Sequence, residues 1–563
     1  MGGKPWKSKG AQLVKGAGSK SVMSDSRDVN IDPLADKWTG LQCDLQRPRC
    51  AHCVKRNIIC PGYPDNDLVV FAHYADTQHP RKVAMGRSTE IEPANRAQKL
   101  PHNMQAYSQI RIQLYASFLD SYYPMRLDIN AIQEVDLWFQ LVSRFITLPS
   151  KSKMLETAFS AISCFYFGST NKDDQLLQKG MQLYNTAIRC MSNRVCQSAV
   201  TEDMVYTSVI FKAIETFHCP SGREAIAAHM EGHNLILKNF DDTKANSGMK
   251  CVYKLQKQGL MYAPLLFKGS GYDFDYLKKH NDDAAFDELF EVYVEITTLL
   301  ATADYIDSSG KSDRALCENL VRRCRMHRAK TLEWYSRNLD SIGGPPICYP
   351  TGKLKNMGRP LPSSDEVFSH FYTFQSLRHA ELHVFFWKAM VLLQIMIYHS
   401  QIRVLRHARD NVPNDFFNKS PTDFEAYSEL KMSETYADNI CRAIPYWLQN
   451  RLGSYGVLKI TVNLWPVLKP YTHLRSWKKF RWVQHICKIV ESGGNDLATC
   501  ISQVWWKYWL LCQDPKCNFH ASLLLREDYG ERLNVSMEGD TLKVIHMTKD
   551  GELAPVPESL KIC

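Results

Sequence analysis

The sequence predicts an all-α protein, in which one large multi-helix domain follows a short cysteine-dense segment and a disordered N-terminal arm. Apolar residues recur with the helical period through most of the chain after residue 105, and alternating strand-like patterns are nearly absent before residue 533. The first forty residues are rich in Gly, Ser, Lys and Asp and show no apolar period, as disordered segments do. Because 45% of the 563 residues are hydrophobic, the chain has enough apolar material for a sizeable core.

Helical periodicity is clearest over Phe286–Leu300, where apolar residues return every 3.6 positions. Glycine and proline at Gly269–Gly271 and Gly343–Pro346 mark loops between helices. Two short alternating segments, Leu533–Met537 and Leu542–Met547, predict one β-hairpin in the C-terminal tail. Further helices are predicted over Gln105–Tyr123, Ser152–Phe167, Leu176–Met191, Met204–Phe217, Arg223–Phe240, Val367–Val404 and Ser433–Leu448.

The longest apolar run extends from Leu382 to Tyr398. Its polar residues His383, Lys388 and Gln394 favour a buried helix of a soluble protein over a membrane span. The aromatic group Trp505, Trp506, Tyr508 and Trp509 is expected in the core, not around a ligand. The basic stretches His473–Arg481 and Arg322–Arg328 are expected to form solvated helix faces.

The 18 cysteines are too sparse for a disulfide-stabilised scaffold, and most lie singly in apolar segments. The N-terminus, MGGKPWKSKGAQ, lacks the apolar region of a secretory signal, so we expect reduced thiols in the cytosol or nucleus. The net charge is +10, and it is concentrated: the first 60 residues hold eleven Lys and Arg against five Asp, a local charge of +6. Basic arms of this kind favour nucleic acid, although solvated disorder explains them equally well.

Four cysteines, Cys43, Cys50, Cys53 and Cys60, follow the spacing C-x6-C-x2-C-x6-C. Thiolates two residues apart can reach one metal ion from a single turn, and tetrahedral Zn2+ accepts four of them. The spacing therefore indicates a zinc site; the alternative is a fortuitous cluster of unliganded thiols.

The segment CDLQRPRCAHCVKRNIICPGYPD resembles the second half of the six-cysteine cluster of fungal binuclear zinc-cluster transcription factors. That family has the pattern C-x2-C-x6-C-x(5–12)-C-x2-C-x6-C, usually followed by Pro-Gly-Tyr. The four cysteines match the third to the sixth of the pattern. Further matches are Asp44, the loop proline Pro48, and the exit Pro61-Gly62-Tyr63.

The first cysteine pair of the family is absent, because Pro33 and Asp36 occupy its positions. The basic run that the family places on its major-groove helix is also absent, since residues 37–42 read KWTGLQ. Three interpretations stay open: one zinc held by the four cysteines, two zincs completed by Asp32, Asp36 or His52, or no stable metal. Lys7-Ser8-Lys9-Gly10 resembles the run before the first family cysteine, with Ala11 in its place. An altered gene product and a divergent protein that has abandoned DNA binding are both compatible with this.

Three segments of the helical part resemble the fungal-specific transcription factor domain in the expected order. Ala228–Leu237 resembles its H-x-x-G-x-x-x-L-L helix, Ala437–Tyr446 a signature nearer its C-terminus, and Leu464–Val467 the W-P-L turn that follows. The resemblance implies a regulatory module that senses an effector and dimerises. No enzyme motif was found: Gly16–Ser21 lacks the P-loop spacing, and H-E-x-x-H and G-x-S-x-G do not occur.

The predicted organisation is a disordered basic arm (1–40), a partial zinc-cluster module (41–66), a linker (67–104), the helical fungal-specific transcription factor domain (105–530) and a C-terminal tail (531–563). The resemblance implies a nuclear, non-enzymatic, zinc-dependent DNA-binding regulator of RNA polymerase II genes, which binds no membrane. DNA binding is expected to be weak, and homo- or heterodimers with related zinc-cluster proteins are expected partners. The alternatives are a regulator without DNA affinity that acts through its helical domain, and a helical enzyme or ligand-binding protein. Expected site residues are Cys43, Cys50, Cys53 and Cys60 for Zn2+, and Arg47, Arg49, Lys55 and Arg56 for DNA, with Lys55 and Arg56 on phosphates.

Overall fold

The computed structural model describes residues 113, 115–122, 152–218, 223–264, 274–280, 283–308, 313–350, 367–410, 421–492, 495–513, 533–538, 541–547 and 553–554. The predicted arm, cysteine module and linker lie outside these residues. Of the described part, 84% is helical, which confirms the all-α prediction.

The described elements begin with a helical segment over residues 115–122. The helices that follow are α1 Lys153–Asn171, α2 Asp174–Val195, α3 Glu202–His218, α4 Arg223–Lys238, α5 Ser247–Tyr262, α6 Asp275–Lys278, α7 Ala284–Ser308, α8 Arg314–Asn338, α9 Leu377–Asp410, α10 Pro421–Trp447, α11 Gly453–His473, α12 Trp477–Glu491 and α13 Asp496–Gln513. The strands are β1 Ile347–Pro350, β2 His370–Thr373, β3 Leu533–Glu538, β4 Thr541–Met547 and β5 Leu553–Ala554.

Side-chain caps determine where several helices begin. The carboxylate of Asp173 accepts from the backbone N–H of Leu176, and Asn246 caps α5 in the same way. Asp313 starts α8, a helix that the apolar period alone did not reveal. Capping satisfies N–H groups that would otherwise have no helical partner, so these polar residues locate the helix starts better than apolar spacing does.

The first part of the body is a stack of α1, α2, α3 and α4, in which each helix packs on its neighbour in the chain and α1 also contacts α3. In the second part, α9 lies at the centre and contacts α7, α8, α10 and α11. The last described helix, α13, packs on α11, α12 and the distant α3. One continuous apolar core therefore extends from Tyr115 to Trp509.

Helix α9 contains the longest apolar run, and its segment Leu377–Leu405 is long and apolar enough to cross a membrane. In the protein, 94% of the most apolar window is buried against neighbouring helices. The interrupting residues His383, Lys388 and Gln394 are buried too. The prediction of a buried core helix is thus confirmed.

Two predicted helices begin about ten residues away from their predicted first residues. The helix predicted from Val367 begins only at Leu377, because residues 370–373 pair with β1 as an antiparallel strand. The hydroxyl of Ser376 then accepts from the N–H of His379 at 3.2 Å and starts the helix. The helix predicted from Ser433 begins twelve residues earlier at Pro421, in keeping with the preference of proline for first helical positions.

The small β elements agree with the turn signals. Gly343 and Gly344 adopt φ angles of 86° and 73° in the predicted loop before β1, a conformation that favours glycine. The predicted C-terminal hairpin is confirmed, since β3 pairs with β4 in antiparallel register. A third short strand, β5, pairs with the other edge of β4.

The predicted core aromatics Trp505, Trp506, Tyr508 and Trp509 are all buried. Their neighbours include Phe480, whose ring lies 4.4 Å from that of Trp509. Burial of the thiols is confirmed for Cys164, Cys441 and Cys487, whereas Cys190 is only partly buried.

Candidate functional site

A layer of polar side chains lies inside the helical body where α2, α3, α4, α5 and α6 meet. Helix α4 supplies His229 and His233, whose spacing of four residues places both on one face. This is the helix that resembles the H-x-x-G-x-x-x-L-L segment. The other members are Tyr184, Ser208, Lys212, Glu215, Asn234, Gln256 and Tyr276.

The first group in this layer joins Tyr184, Glu215 and His229. The Tyr184 hydroxyl donates to Glu215 Oε1 at 2.8 Å and lies 2.8 Å from His229 Nε2. Because its single hydrogen is used on the carboxylate, His229 is the donor to the tyrosine oxygen. Burial lowers the pKa of His229 to about 4, so its ring is neutral at neutral pH.

The second group joins Ser208 and His233, both fully buried. The Ser208 hydroxyl donates to the Val205 carbonyl oxygen at 2.7 Å and lies 2.8 Å from His233 Nδ1. Its one hydrogen is therefore used, and His233 Nδ1 must carry the proton that bonds to Ser208 Oγ. Burial, and then the charge of Lys212, hold the pKa of His233 well below its usual range, so Nε2 of the neutral ring carries a lone pair.

The third group is a chain of hydrogen bonds that positions Lys212. The Tyr276 hydroxyl donates to Asn234 Oδ1 at 2.5 Å, and Gln256 Nε2 approaches the same oxygen at 3.5 Å. This contact directs the Gln256 Oε1 atom towards Lys212, whose ammonium donates to it at 3.0 Å. Desolvation lowers the pKa of Lys212 to about 7, although the side chain remains partly exposed.

A separate polar centre lies between α5, α9 and α11. Glu381 accepts from Lys459, from the Tyr262 hydroxyl at 2.7 Å and from Gln258 Nε2 at 3.1 Å. The Lys459 ammonium also lies 4.9 Å from the centre of the Tyr455 ring. Lys459 is buried and Glu381 mostly so, and Glu381 accepts from donors of α5 as well as from α11, so this ion pair joins the three helices.

Lys388 of α9 lies beside that centre and is only 2% exposed. Its ammonium donates to the carbonyl oxygens of Tyr262 and Val462 and, at 3.2 Å, to Asn463 Oδ1. Burial lowers the pKa of Lys388 to about 7. Because its acceptors are main-chain and amide oxygens of the protein itself, we assign this lysine a structural role.

The Lys388 contacts also correct the expectation of a W-P-L turn at Leu464–Val467. Pro466 lies inside helix α11. A proline has no N–H, so the Val462 carbonyl four residues earlier loses its helical donor. Lys388 supplies that donor, and the helix continues where a turn was predicted.

The basic stretches Arg322–Arg328 and His473–Arg481 were predicted to form solvated helix faces, and this is only partly so. Arg322 is exposed, but Arg328 pairs with Glu429, and Arg325 pairs with Glu425 of the neighbouring helix α10. In the second stretch, Lys479 donates to Asp438 at 2.8 Å and to Glu434 at 3.1 Å. Intramolecular carboxylates thus bind several of these cations.

The site residues predicted from the sequence lie outside the described residues, so the structure gives no positions for them. They are Cys43, Cys50, Cys53 and Cys60 for zinc and Arg47, Arg49, Lys55 and Arg56 for DNA. Among the side chains that the structure does describe, no three His, Cys, Asp or Glu are grouped as a metal site.

Sequence reasoning did not single out the polar layer of α2 to α6. Two signals were present: the i, i+4 pair His229 and His233, and the charge of Lys212 within the apolar run of 209–214. Their partners lie on other helices, as Gln256 does relative to Lys212, so the sequence alone does not group them.

Comparison of the chain with protein-family models, curated proteins and solved structures found no match.

Proposed function

We propose that this protein is a nuclear transcription regulator of the binuclear zinc-cluster type, with a helical body that serves a regulatory and not a catalytic role. The observation that carries the proposal is the C-x6-C-x2-C-x6-C segment with its Pro61-Gly62-Tyr63 exit. The all-α body that follows this segment in the chain is compatible with the proposal, since the fungal-specific transcription factor domain that it resembles is helical as well.

Zinc would be held by Cys43, Cys50, Cys53 and Cys60. Four thiolates suit one tetrahedral Zn2+, which would supply the fold of this short segment without taking part in a reaction. Two zincs in the manner of the family need six thiolates. With Pro33 and Asp36 at the first pair, one zinc is the composition that these residues fit best.

DNA would be contacted by Arg47, Arg49, Lys55 and Arg56 in the same segment. Such cations bind phosphates, which position a protein on DNA without reading its sequence. The basic run that reads base edges in the family is replaced by KWTGLQ at 37–42. The proposed binding to DNA is therefore weak and of low sequence specificity.

The second candidate is a regulator without DNA affinity that acts through its helical body, alone or as a heterodimer with an intact zinc-cluster protein. The missing first cysteine pair favours it, because the DNA-reading module of the family depends on both zincs. Dimerisation with a related chain would let the partner supply DNA recognition.

Zinc per chain in the purified full-length protein tests the metal site. We expect about one zinc, and loss of it when Cys43, Cys50, Cys53 and Cys60 are all replaced by Ser. The matched control replaces the exposed Cys196 and Cys348 by Ser and should keep the zinc. Equal zinc in both variants would exclude the proposed ligand set.

Binding to random-sequence duplex DNA at several salt concentrations separates the two candidates. Phosphate contacts give a linear fall of log affinity against log salt, with a slope of roughly −0.9 for each contact. Replacing Lys55 and Arg56 by Gln should make that slope shallower by about two contacts. If the full-length protein shows no salt-dependent binding, the second candidate is favoured.

A further inference from the structure

The outer face of α12 carries charge of one sign. Within this helix, basic residues recur at spacings of three, four and three positions, which places them on one face. This basic row consists of Lys478, Arg481, His485 and Lys488. The opposite face, which includes Val483 and Val490, is buried in the core. The packing of α12 therefore directs the basic row outward.

The basic row lies at the surface of the protein. Lys478 is exposed and the other three members are half-buried, as long side chains are when their stems lie on the protein and their charged ends stay in water. No Asp or Glu occurs between residues 474 and 490. The carboxylates of Glu434 and Asp438 on α10 accept from Lys479, which lies off the row. The row is thus a continuous basic strip of the surface.

A regular line of cations on a helix suits a linear polyanion. Ten positions separate the first and last members of the row, which makes it about 15 Å long. One strand of B-DNA carries roughly four phosphates over that length of its axis. A membrane surface fits less well, because interfacial helices place large apolar residues opposite their cations and expose them to the lipid. Among the described residues, the exposed large hydrophobic side chains lie on elements other than α12.

We propose that the basic row of α12 binds the phosphate backbone of duplex DNA. The choice of DNA rests on the proposed role in transcription, whereas the row itself belongs to the helical body and not to the cysteine segment. Its lysine and arginine side chains contact phosphates, which hold a protein on the duplex without reading the base sequence. The helical body thereby adds phosphate contacts to those proposed for the cysteine segment.

Binding of the full-length protein to a random-sequence duplex, followed by fluorescence anisotropy at several salt concentrations, tests the row. The row variant replaces Lys478, Arg481 and Lys488 by Gln. We expect its slope of log affinity against log salt to be shallower by about 2.7, since three contacts contribute roughly 0.9 each. The single exposed change Lys478→Gln should lower the slope by about 0.9, which keeps the test valid if the triple variant folds poorly. Wild-type slopes in both variants would overturn the proposal.

A matched control removes the same number of charges elsewhere. It replaces three exposed cations of α1 and α8, Lys153, Arg322 and Lys330, by Gln. Both triple variants lose equal net charge, so a general attraction between a basic protein and DNA predicts equal losses of slope. We expect the control to keep the wild-type slope, and equal losses would refute a local site on α12.

Polyglutamate distinguishes DNA from an acidic protein segment as the partner of the row. We expect the duplex to bind the full-length protein more tightly than polyglutamate of the same total charge does. If polyglutamate binds more tightly, and this preference disappears in the row variant, the row is a site for an acidic protein and the proposal is overturned.

Zinc content separates the failure of this proposal from the failure of the zinc site. It should be the same in the row variant and in wild type, because the row contains none of the proposed ligands. A protein that holds no zinc but keeps the row-dependent slope would disprove the metal site and support the row. A full zinc content with slopes that the row substitutions leave unchanged would do the opposite.

Discussion

The ammonium of Lys388 lies 3.1 Å from the carbonyl oxygen of Val462, the acceptor that Pro466 leaves without a helical donor. The same ammonium donates to Tyr262, the last residue of α5, where helical carbonyls have no partners of their own. Lys388 thus supplies a hydrogen-bond donor to two main-chain carbonyls that have no helical donor. Because Lys388 is buried, we expect its protonation state to affect the stability of the folded protein.

The titration of Lys388 should appear in the pH dependence of stability. Its pKa is about 7 in the folded protein and close to 10.5 when unfolded, so between these values the unfolded chain binds more protons. Stability contributed by this residue therefore increases with pH over that window, by up to about 1.4 kcal/mol per unit. The free energy of unfolding, measured in urea at a series of pH values from 7 upward, should increase less steeply with pH for Lys388→Met than for wild type. Lys330→Met, at an exposed site, should follow wild type, and coincident curves for all three proteins would contradict the assignment.

Removing the Tyr184 hydroxyl should destabilise the protein markedly. Tyr184→Phe takes a donor from the buried Glu215 carboxylate and an acceptor from His229, and the cost for buried groups is about 2–4 kcal/mol. The control Tyr206→Phe removes a hydroxyl that donates to the half-buried Glu202 at 3.0 Å. Its cost should be smaller, about 0.5–1.5 kcal/mol. Denaturant midpoints measure both losses; equal values would contradict the larger cost expected for the buried Tyr184 hydroxyl.

His229 should make the protein sensitive to acid. Its pKa is about 4 in the folded protein and 6.5 in the unfolded chain, so between these values only the unfolded chain takes up the proton. The stability it contributes is present above pH 6.5 and is lost as the pH falls towards 4. His229→Gln should therefore show a flatter dependence of unfolding free energy on pH in this range, whatever its absolute stability. A variant curve parallel to that of wild type would rule out this contribution.

The ion pairs between α8 and α10 should differ in strength according to burial. Glu429 is 5% exposed where it contacts Arg328, whereas Glu425 is 51% exposed where it contacts Arg325. Glu429→Gln should cost about 1–3 kcal/mol, and the matched Glu425→Gln less than about 1 kcal/mol. Thermal unfolding of the two variants side by side gives the comparison. The ranking is wrong if Glu425→Gln is the more harmful change.

Helix content was predictable because apolar spacing is a local property. The 3.6 period over Phe286–Leu300 lies within α7, and the two alternating segments after Leu533 became β3 and β4. The start of α9 was missed because β2 forms only by pairing with β1, whose paired residues lie 20 to 26 positions earlier in the chain. Likewise, no residue near Pro466 in the sequence indicates that Lys388 donates to the Val462 carbonyl.

The hydrogen-bond partners of buried polar side chains were less predictable, because they are distant in the sequence. Lys388 interrupts the apolar run Leu382–Tyr398, and its burial was predictable because that run was expected to form a core helix. Its acceptors, however, are 74 to 126 residues away along the chain. The Lys212–Gln256 contact depends on the packing of α3 beside α5, which no local pattern specifies. The expected zinc and DNA residues rest on a motif and stay predictions.

The contact of α13 with α3 has a consequence for biosynthesis. Helix α3 ends at residue 218, and α13, which packs on it, begins at residue 496. At a synthesis rate of roughly 5–20 residues per second, the ribosome needs about 15–60 s to make the intervening chain. During that time the part of α3 that contacts α13 lacks this partner. We therefore expect chaperones that hold nascent chains to increase the yield of native protein.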